Sequence, residues 1–258
     1  MRVLLPPSET KRDGGDGPSV DLSSLLFADR MTDTRQRVAT AVAHLAKNAA
    51  TCMSTLRLGP KLAFEVERNR TLMTSSTMAA IDRYTGVLFD GLSSLTLDSR
   101  ARDDLMAHVV IQSALWGPIA AGDLIPAYRL SHNSRLPKLT ASLTTTWSRA
   151  TAALPELWEG LVLDARSEGY VDLTPVPDEP GSEIYFLRVV TRDAGGNTRA
   201  LNHFNKKAKG ELLRSLAESG ALRQLNAVDD LLAWAPAHGW LLERSAETEL
   251  TLVIPAAL

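Results

Sequence analysis

Cysteine is almost missing from this chain: Cys52 is the one thiol in 258 residues. A lone cysteine excludes an intrachain disulfide and any all-thiolate metal centre, and it fits a reducing compartment. Long apolar runs are missing too. The start, Met1-Arg2-Val3-Leu4-Leu5-Pro6-Pro7, breaks after three apolar residues, whereas a secretory leader needs roughly 7–15. No segment approaches the roughly 18 apolar residues of a membrane helix. A cytoplasmic protein without membrane contact is the expectation. Net charge is nearly absent, at -2, which argues against a generic polybasic nucleic-acid binder. The Gly-rich stretch Lys11–Ser19 lacks the spacing of a Walker or dinucleotide motif. Neither G-x-S-x-G nor H-E-x-x-H occurs. His44, His108, His132, His203 and His238 have no metal-ligand spacing, so no metal or other cofactor is expected.

What is present is an ordinary globular composition, 45% hydrophobic and 22% charged, too apolar for disorder. The charge is segregated. Leu124–Ala150 carries Arg129, Arg135, Lys138 and Arg149 and no acid, and Arg199–Arg214 sets Arg199, Lys206, Lys207, Lys209 and Arg214 against Glu211 alone. The acids collect in Glu156–Asp193 and Glu218–Glu249. A basic face is therefore expected in spite of the neutral sum.

The pattern predicts a first strand at Arg2–Leu5 and a helix capped by Thr32 that runs to about Ala50. Helical stretches follow over Lys61–Met73, Thr77–Tyr84 and Asp98–His108, the last leading into a buried strand within Val109–Leu115. A further helix is expected within Leu139–Ala153, with strands at Leu161–Leu163 and Ile184–Thr191. A hairpin turn at Asp193–Asn197 precedes a strand at Arg199–Phe204. An amphipathic helix over Lys206–Ser219 is closed by Gly220. Strand-like pieces at Trp240–Glu243 and Glu249–Ile254 end the chain. With no repeat and no linker-like segment, the expectation is one mixed α/β domain, a central mixed sheet flanked by helices.

Three sets of residues carry candidate chemistry. Leu56-Arg57-Leu58-Gly59-Pro60-Lys61, between two helical runs, resembles the hairpin of a helix-hairpin-helix element over about residues 45–73. Gly59 permits a positive φ, Pro60 suits a first helical position, and the next helix would aim its unsatisfied N–H groups at an anion beside Lys61. A Gly-Pro helix start with no ligand would give the same string. Asn205-Lys206-Lys207-Ala208-Lys209-Gly210 places three lysines in what reads as a first helical turn, where the helix dipole already carries positive partial charge. A bound phosphate would relieve that repulsion, and a solvated surface run would tolerate it. Third, polar clusters follow predicted strands: Ser8-Glu9-Thr10-Lys11 after the first, and Arg166-Ser167-Glu168-Gly169-Tyr170 after Leu161–Leu163. In α/β folds such loops build the ligand cleft. Arg129, beside Tyr128, suits phosphate contact or base stacking.

Taken in order, Pro6–Lys11, Arg83–Leu92, Gln112–Leu130, Asp164–Tyr170 and Asn202–Leu216 resemble the YaaA family of peroxide-stress-response proteins, over nearly the whole chain. The resemblance implies a single α/β domain with a helix-hairpin-helix element and a positively charged cleft. It also implies DNA binding and a role in limiting oxidative damage. On that reading Lys11, Gly59, Lys61, Arg129, Arg166, Lys206, Lys207 and Lys209 bind DNA or another phosphate-bearing ligand. The competing reading is an enzyme acting on a nucleobase, nucleotide or similar small phosphate-bearing molecule, with Glu9, Glu168 and Lys206 as its catalytic groups.

Overall fold

In a computed structural model, five strands run parallel through the centre of one sheet. The structure describes residues 1–178, 181–192, 198–199 and 202–255, with side chains of 193–204 excluded. The strands are β1 (Arg2–Leu5), β2 (Met78–Ala79), β3 (Val109–Ser113), β4 (Gly117–Ala120), β5 (Leu124–Ile125), β6 (Val162–Asp164), β7 (Ile184–Arg192), β8 (Thr198–Arg199), β9 (Leu241–Ala246) and β10 (Glu249–Pro255). The helices are α1 (Ala28–Leu45), α2 (Ala49–Thr55), α3 (Phe64–Arg70), α4 (Ala80–Arg83), α5 (Val87–Leu92), α6 (Ser99–His108), α7 (Leu143–Thr151), α8 (Glu168–Val171), α9 (Asn202–Glu218), α10 (Ala221–Gln224) and α11 (Val228–Ala237). The main sheet has the order β4-β3-β1-β6-β7-β10-β9, with β8 also paired to β7, and β2 pairs β5 apart from it. Strands β3, β1, β6, β7 and β10 are mutually parallel, and β4 and β9 close the two edges antiparallel. Their near-continuous burial, complete in β3 and β6, is what a parallel sheet covered on both faces demands.

The chain leaves β1 toward β3 on one side and returns to β6 on the other. The order therefore reverses between β1 and β6, and the crevice outside their C-terminal ends is where open α/β sheets bind ligands. Helices α1 and α7 are anchored over the end of β3. Arg35, fully buried on α1, donates from Nε to the Trp116 carbonyl at 2.9 Å and from Nη2 to the Pro118 carbonyl at 2.8 Å. Trp147 on α7 donates to the Ala114 carbonyl at 2.8 Å. Among the described residues no helix is long and apolar enough to cross a membrane.

Several local expectations are corrected. Thr32 does not cap a helix: α1 begins at Ala28, and the Thr32 hydroxyl donates back to the Ala28 carbonyl at 2.7 Å inside it. The stretch expected to be one helix from Lys61 is a 3-10 turn, Pro60–Leu62, followed by α3. Thr77–Tyr84 divides into β2 and the single turn α4. The strand expected at Arg199–Phe204 ends by Arg199, and α9 starts at Asn202. Lys206 and Lys207 thus sit beyond the first turn, where the dipole penalty has faded. The turn expected at Asp193–Asn197 lies outside the described residues, although β7 and β8 pair antiparallel on either side of it.

Candidate functional site

The loops after β1, β3 and β6 meet a segment running from Tyr128 to His132, and Lys11 lies between them. Its side chain is 6% exposed. The ammonium donates to the Ser8 carbonyl at 2.9 Å and the Glu9 carbonyl at 3.4 Å. It rests 4.1 Å from the ring centre of Tyr128 and 5.3 Å from that of Tyr84. Beneath it the tyrosine hydroxyls bond each other at 2.7 Å, and Tyr128 continues to the Ser113 hydroxyl at 2.7 Å. The same Ser113 oxygen accepts the N–H groups of Leu115 and Trp116 and so shapes the turn after β3. Burial draws the Lys11 pKa down to about 7, against the opposing pull of Glu9 and Glu65. Burial also pushes Tyr84 up to about 12 and Tyr128 well above the usual phenol value.

Above Lys11 the Glu9 carboxylate is held on two sides. Arg129 Nε lies 3.1 Å from one oxygen and the Ser131 hydroxyl donates to the other at 2.7 Å. Arg129 is fixed in turn by α3: Asn69 donates to its carbonyl and accepts its N–H, both at 2.8 Å. From one turn of the same helix Arg68 reaches the Lys11 carbonyl at 3.4 Å and pairs with the buried Glu65 at 3.1 Å. Beside Glu9 the hydroxyls of Ser8, Thr10 and Thr85 form a small donor–acceptor cluster. On the β6 side, His132 lies against Tyr170 with ring centres 5.0 Å apart. Gly169 makes this approach possible, since a Cβ there would stand 2.3 Å from the imidazole.

The remaining sequence-predicted residues divide by accessibility. Arg166 is fully buried: Nε and Nη2 bond the Asp164 carboxylate at 2.8 and 2.7 Å, and Nη1 donates to the Thr174 carbonyl at 2.9 Å. Its donors are consumed inside the protein, so it braces the β6 loop and does not face a ligand. Lys209 donates to the Ala165 carbonyl at 3.0 Å and is drawn down to about 8 by burial, with Asp164 opposing. Lys206 and Lys207 are exposed, the latter 3.2 Å from Glu211. Helix α9 packs closely on α5: a Cβ at Gly210 would stand 2.0 Å from the Leu88 carbonyl oxygen, and one at Gly91 2.7 Å from the Lys207 carbonyl oxygen. Glu168 is exposed and lines a separate cavity of about 730 Å³ with Asp164, Arg188 and Glu249, to which Glu9 does not contribute.

In the turn between α2 and α3, Gly59 does not take the positive φ that its place in the sequence suggested. Gly59 is extended, at φ -71° and ψ 165°, a conformation open to any residue. The left-handed residue is Arg57, at φ 54°, where a glycine would sit without strain. Arg57 and Lys61 are both exposed. The residues missed by sequence reading are Tyr84, Ser113, Ser131, Glu65, Arg68 and Asn69. Tyr84 stood inside a motif already singled out, and the scarcity of tyrosine, four in the chain, was the usable signal. Asn69 and Arg68 had none, because only the fold folds α3 back over the β1 loop.

The architecture is that of an α/β protein with a cation-bearing polar site over the reversal point of a mostly parallel sheet. The family profile described as "Peroxide stress protein YaaA" matches residues 1–243. A UPF0246 protein of Corynebacterium glutamicum is 37% identical over 98% of this chain and 99% of its own length. A UPF0246 protein of Streptomyces coelicolor is 34% identical over 94% of this chain and 97% of its own. An uncharacterized protein of Campylobacter jejuni is 24% identical over 92% of each. The chain belongs to the YaaA peroxide stress protein family.

Proposed function

We propose that this protein binds nucleic acid along the C-terminal edge of its sheet and thereby limits oxidative damage under peroxide stress. One observation carries the reading: α3 joins the exposed hairpin to the site. Its first turn follows Lys61, and its last turn clamps Arg129 and touches Lys11. The seven residue steps from Lys61 to Arg68 span about 10–12 Å, so a phosphate chain held at a helix-hairpin-helix-type turn would pass close to Glu9 and Arg129. Arg57, Lys61 and Lys206 are the exposed cations for backbone contact, with little base specificity. Fluorescence anisotropy on a duplex at several salt concentrations tests this. The Lys61→Ala/Lys206→Ala protein should lose about 2 units of log–log salt slope. Absence of duplex binding at low salt by the folded protein would end the reading.

A second reading, an enzyme acting on a small phosphate-bearing molecule, is favoured by the held Glu9 carboxylate beside a lysine that burial discharges near neutral pH. Glu9 would move the proton and Arg129 would orient it. Glu9→Gln should then lower turnover by roughly 10²–10⁴ with little change in affinity. If Glu9 only borders a nucleic-acid groove, the same change should leave binding equal or tighter, because a carboxylate repels phosphate.

A further inference from the structure

Away from Glu9 and Lys11, a groove of about 660 Å³ opens between α1 and α7. Arg37 from α1, Lys138 from the preceding loop and Arg149 from α7 all line it. All three are exposed, and among the described residues none has an acidic partner within ion-pair distance. No aspartate or glutamate contributes to the walls. Three like charges around one concavity reinforce each other's potential, and the low-dielectric walls focus it. The rest of the lining suits the same kind of ligand. Five threonines face the groove, and Arg37 Nη2 is held by the Thr34 hydroxyl at 3.0 Å. Thr145 and Thr146 belong to the first turn of α7, a nine-residue helix capped by Ser142 with no acid in that turn, so its positive dipole end adds to the field. The floor is small and apolar, from Ala41, Leu139 and Ala150, and no aromatic ring lines it. Hydroxyls and cations without a stacking platform recognise phosphate groups and not bases.

We infer that this groove is a second phosphate-binding site, distinct from the Glu9–Lys11 site and independent of the nucleic-acid reading. It takes two or more linked phosphates, either as a free polyphosphate-type ligand or as a stretch of nucleic-acid backbone. The loop that joins the two sites, from Ser131 to Ala141, carries Arg135 and Lys138 and no acid, so one polyanion can follow it from site to site.

Two probes and two double variants test the inference. Sodium tripolyphosphate is titrated calorimetrically into the full chain, into Lys138→Ala/Arg149→Ala, and into Lys61→Ala/Lys206→Ala, an equal loss of charge elsewhere. A duplex is titrated into the same three proteins across a salt series. All four positions are exposed, and circular dichroism confirms that each variant is folded. The expected result is tripolyphosphate binding weakened about ten-fold or more in the groove variant and unchanged in the other. If the source is nucleic acid, the groove variant also loses about 2 units of duplex salt slope. Weakened tripolyphosphate binding confined to the groove variant supports the site, and so does a loss of duplex salt slope in the groove variant whatever the slope of Lys61→Ala/Lys206→Ala. Tripolyphosphate binding that the groove variant alone loses, without duplex binding by the full chain, keeps the groove and removes the nucleic-acid reading. A groove variant that matches the full chain with both probes, or a full chain that binds neither, overturns the inference.

Discussion

The Glu9–Lys11 site and the α1–α7 groove are both written in the sequence with lysines and arginines, yet the fold uses them in opposite ways. Around the β1–β6 crevice, cations point inward and are consumed. Lys11 caps the carbonyls of Ser8 and Glu9, Lys209 that of Ala165, and Arg166 that of Thr174. Where parallel strands end, their loops leave carbonyls without ladder partners, and a buried carbonyl must find a donor. Long cationic side chains supply one. In the groove, by contrast, Arg37, Lys138 and Arg149 keep their charge in solvent and meet no acid in its walls. A positive charge is thus available to a ligand only where the backbone has no prior claim on it.

That contrast is sharpened most by Arg166→Ala. It leaves the Asp164 carboxylate buried without its bidentate partner, which costs about 3–5 kcal/mol. Denaturant unfolding should register this, while the folded fraction binds phosphate probes as before. A loss of binding with unchanged stability would break the comparison.

Lys11→Met should act through pH. The ordinary lysine value is near 10.5, and burial lowers it to about 7. Between those values the unfolded chain holds a proton that the folded chain does not, so stability rises with pH, by about 1.4 kcal/mol per unit at most. Below pH 7 both states are protonated and the folded state bears the full desolvation cost; above pH 10.5 the cost is gone. Methionine abolishes this rise. The stability of the lysine protein relative to Lys11→Met should therefore climb across roughly pH 7–10, and parallel curves would show that Lys11 is solvated.

Arg57→Gly should raise stability by about 1 kcal/mol, because it relieves a left-handed backbone at an L-residue. It should also remove one exposed cation and lower any duplex salt slope by about 1 unit. Gain without that loss would separate the hairpin from phosphate binding. The smallest effect is expected at Lys206. Lys206→Ala should change stability by no more than about 0.5 kcal/mol, and a larger fall would place it with the inward-pointing cations.

Much of the framework was legible beforehand. The strands expected at Arg2–Leu5, within Val109–Leu115 and at Ile184–Thr191 are present as β1, β3 and β7, and the helix expected over Asp98–His108 is α6, with Asp98 as its cap. Short elements were not legible. The two-residue strands β2 and β5 and the one-turn helices α4 and α8 are too brief for any periodicity to register. Of the candidate site, Glu9, Lys11 and Arg129 were singled out because they follow a strand or adjoin a tyrosine, and the fold brings these three together. The direction each cation faces was not, since it depends on which carbonyls the strand ends leave open.

The Asn69 carboxamide, gripping both the N–H and the carbonyl of Arg129, imitates one rung of a β ladder across sixty residues of chain. Arg129 is thereby a passenger of α3. Its amide hydrogen belongs to a loop by address, but it is released only when that helix pulls away. In hydrogen–deuterium exchange it should keep the slow clock of α3 and not the fast one of its neighbours in the loop beyond Ser131, so a single amide reports whether hairpin and crevice open together.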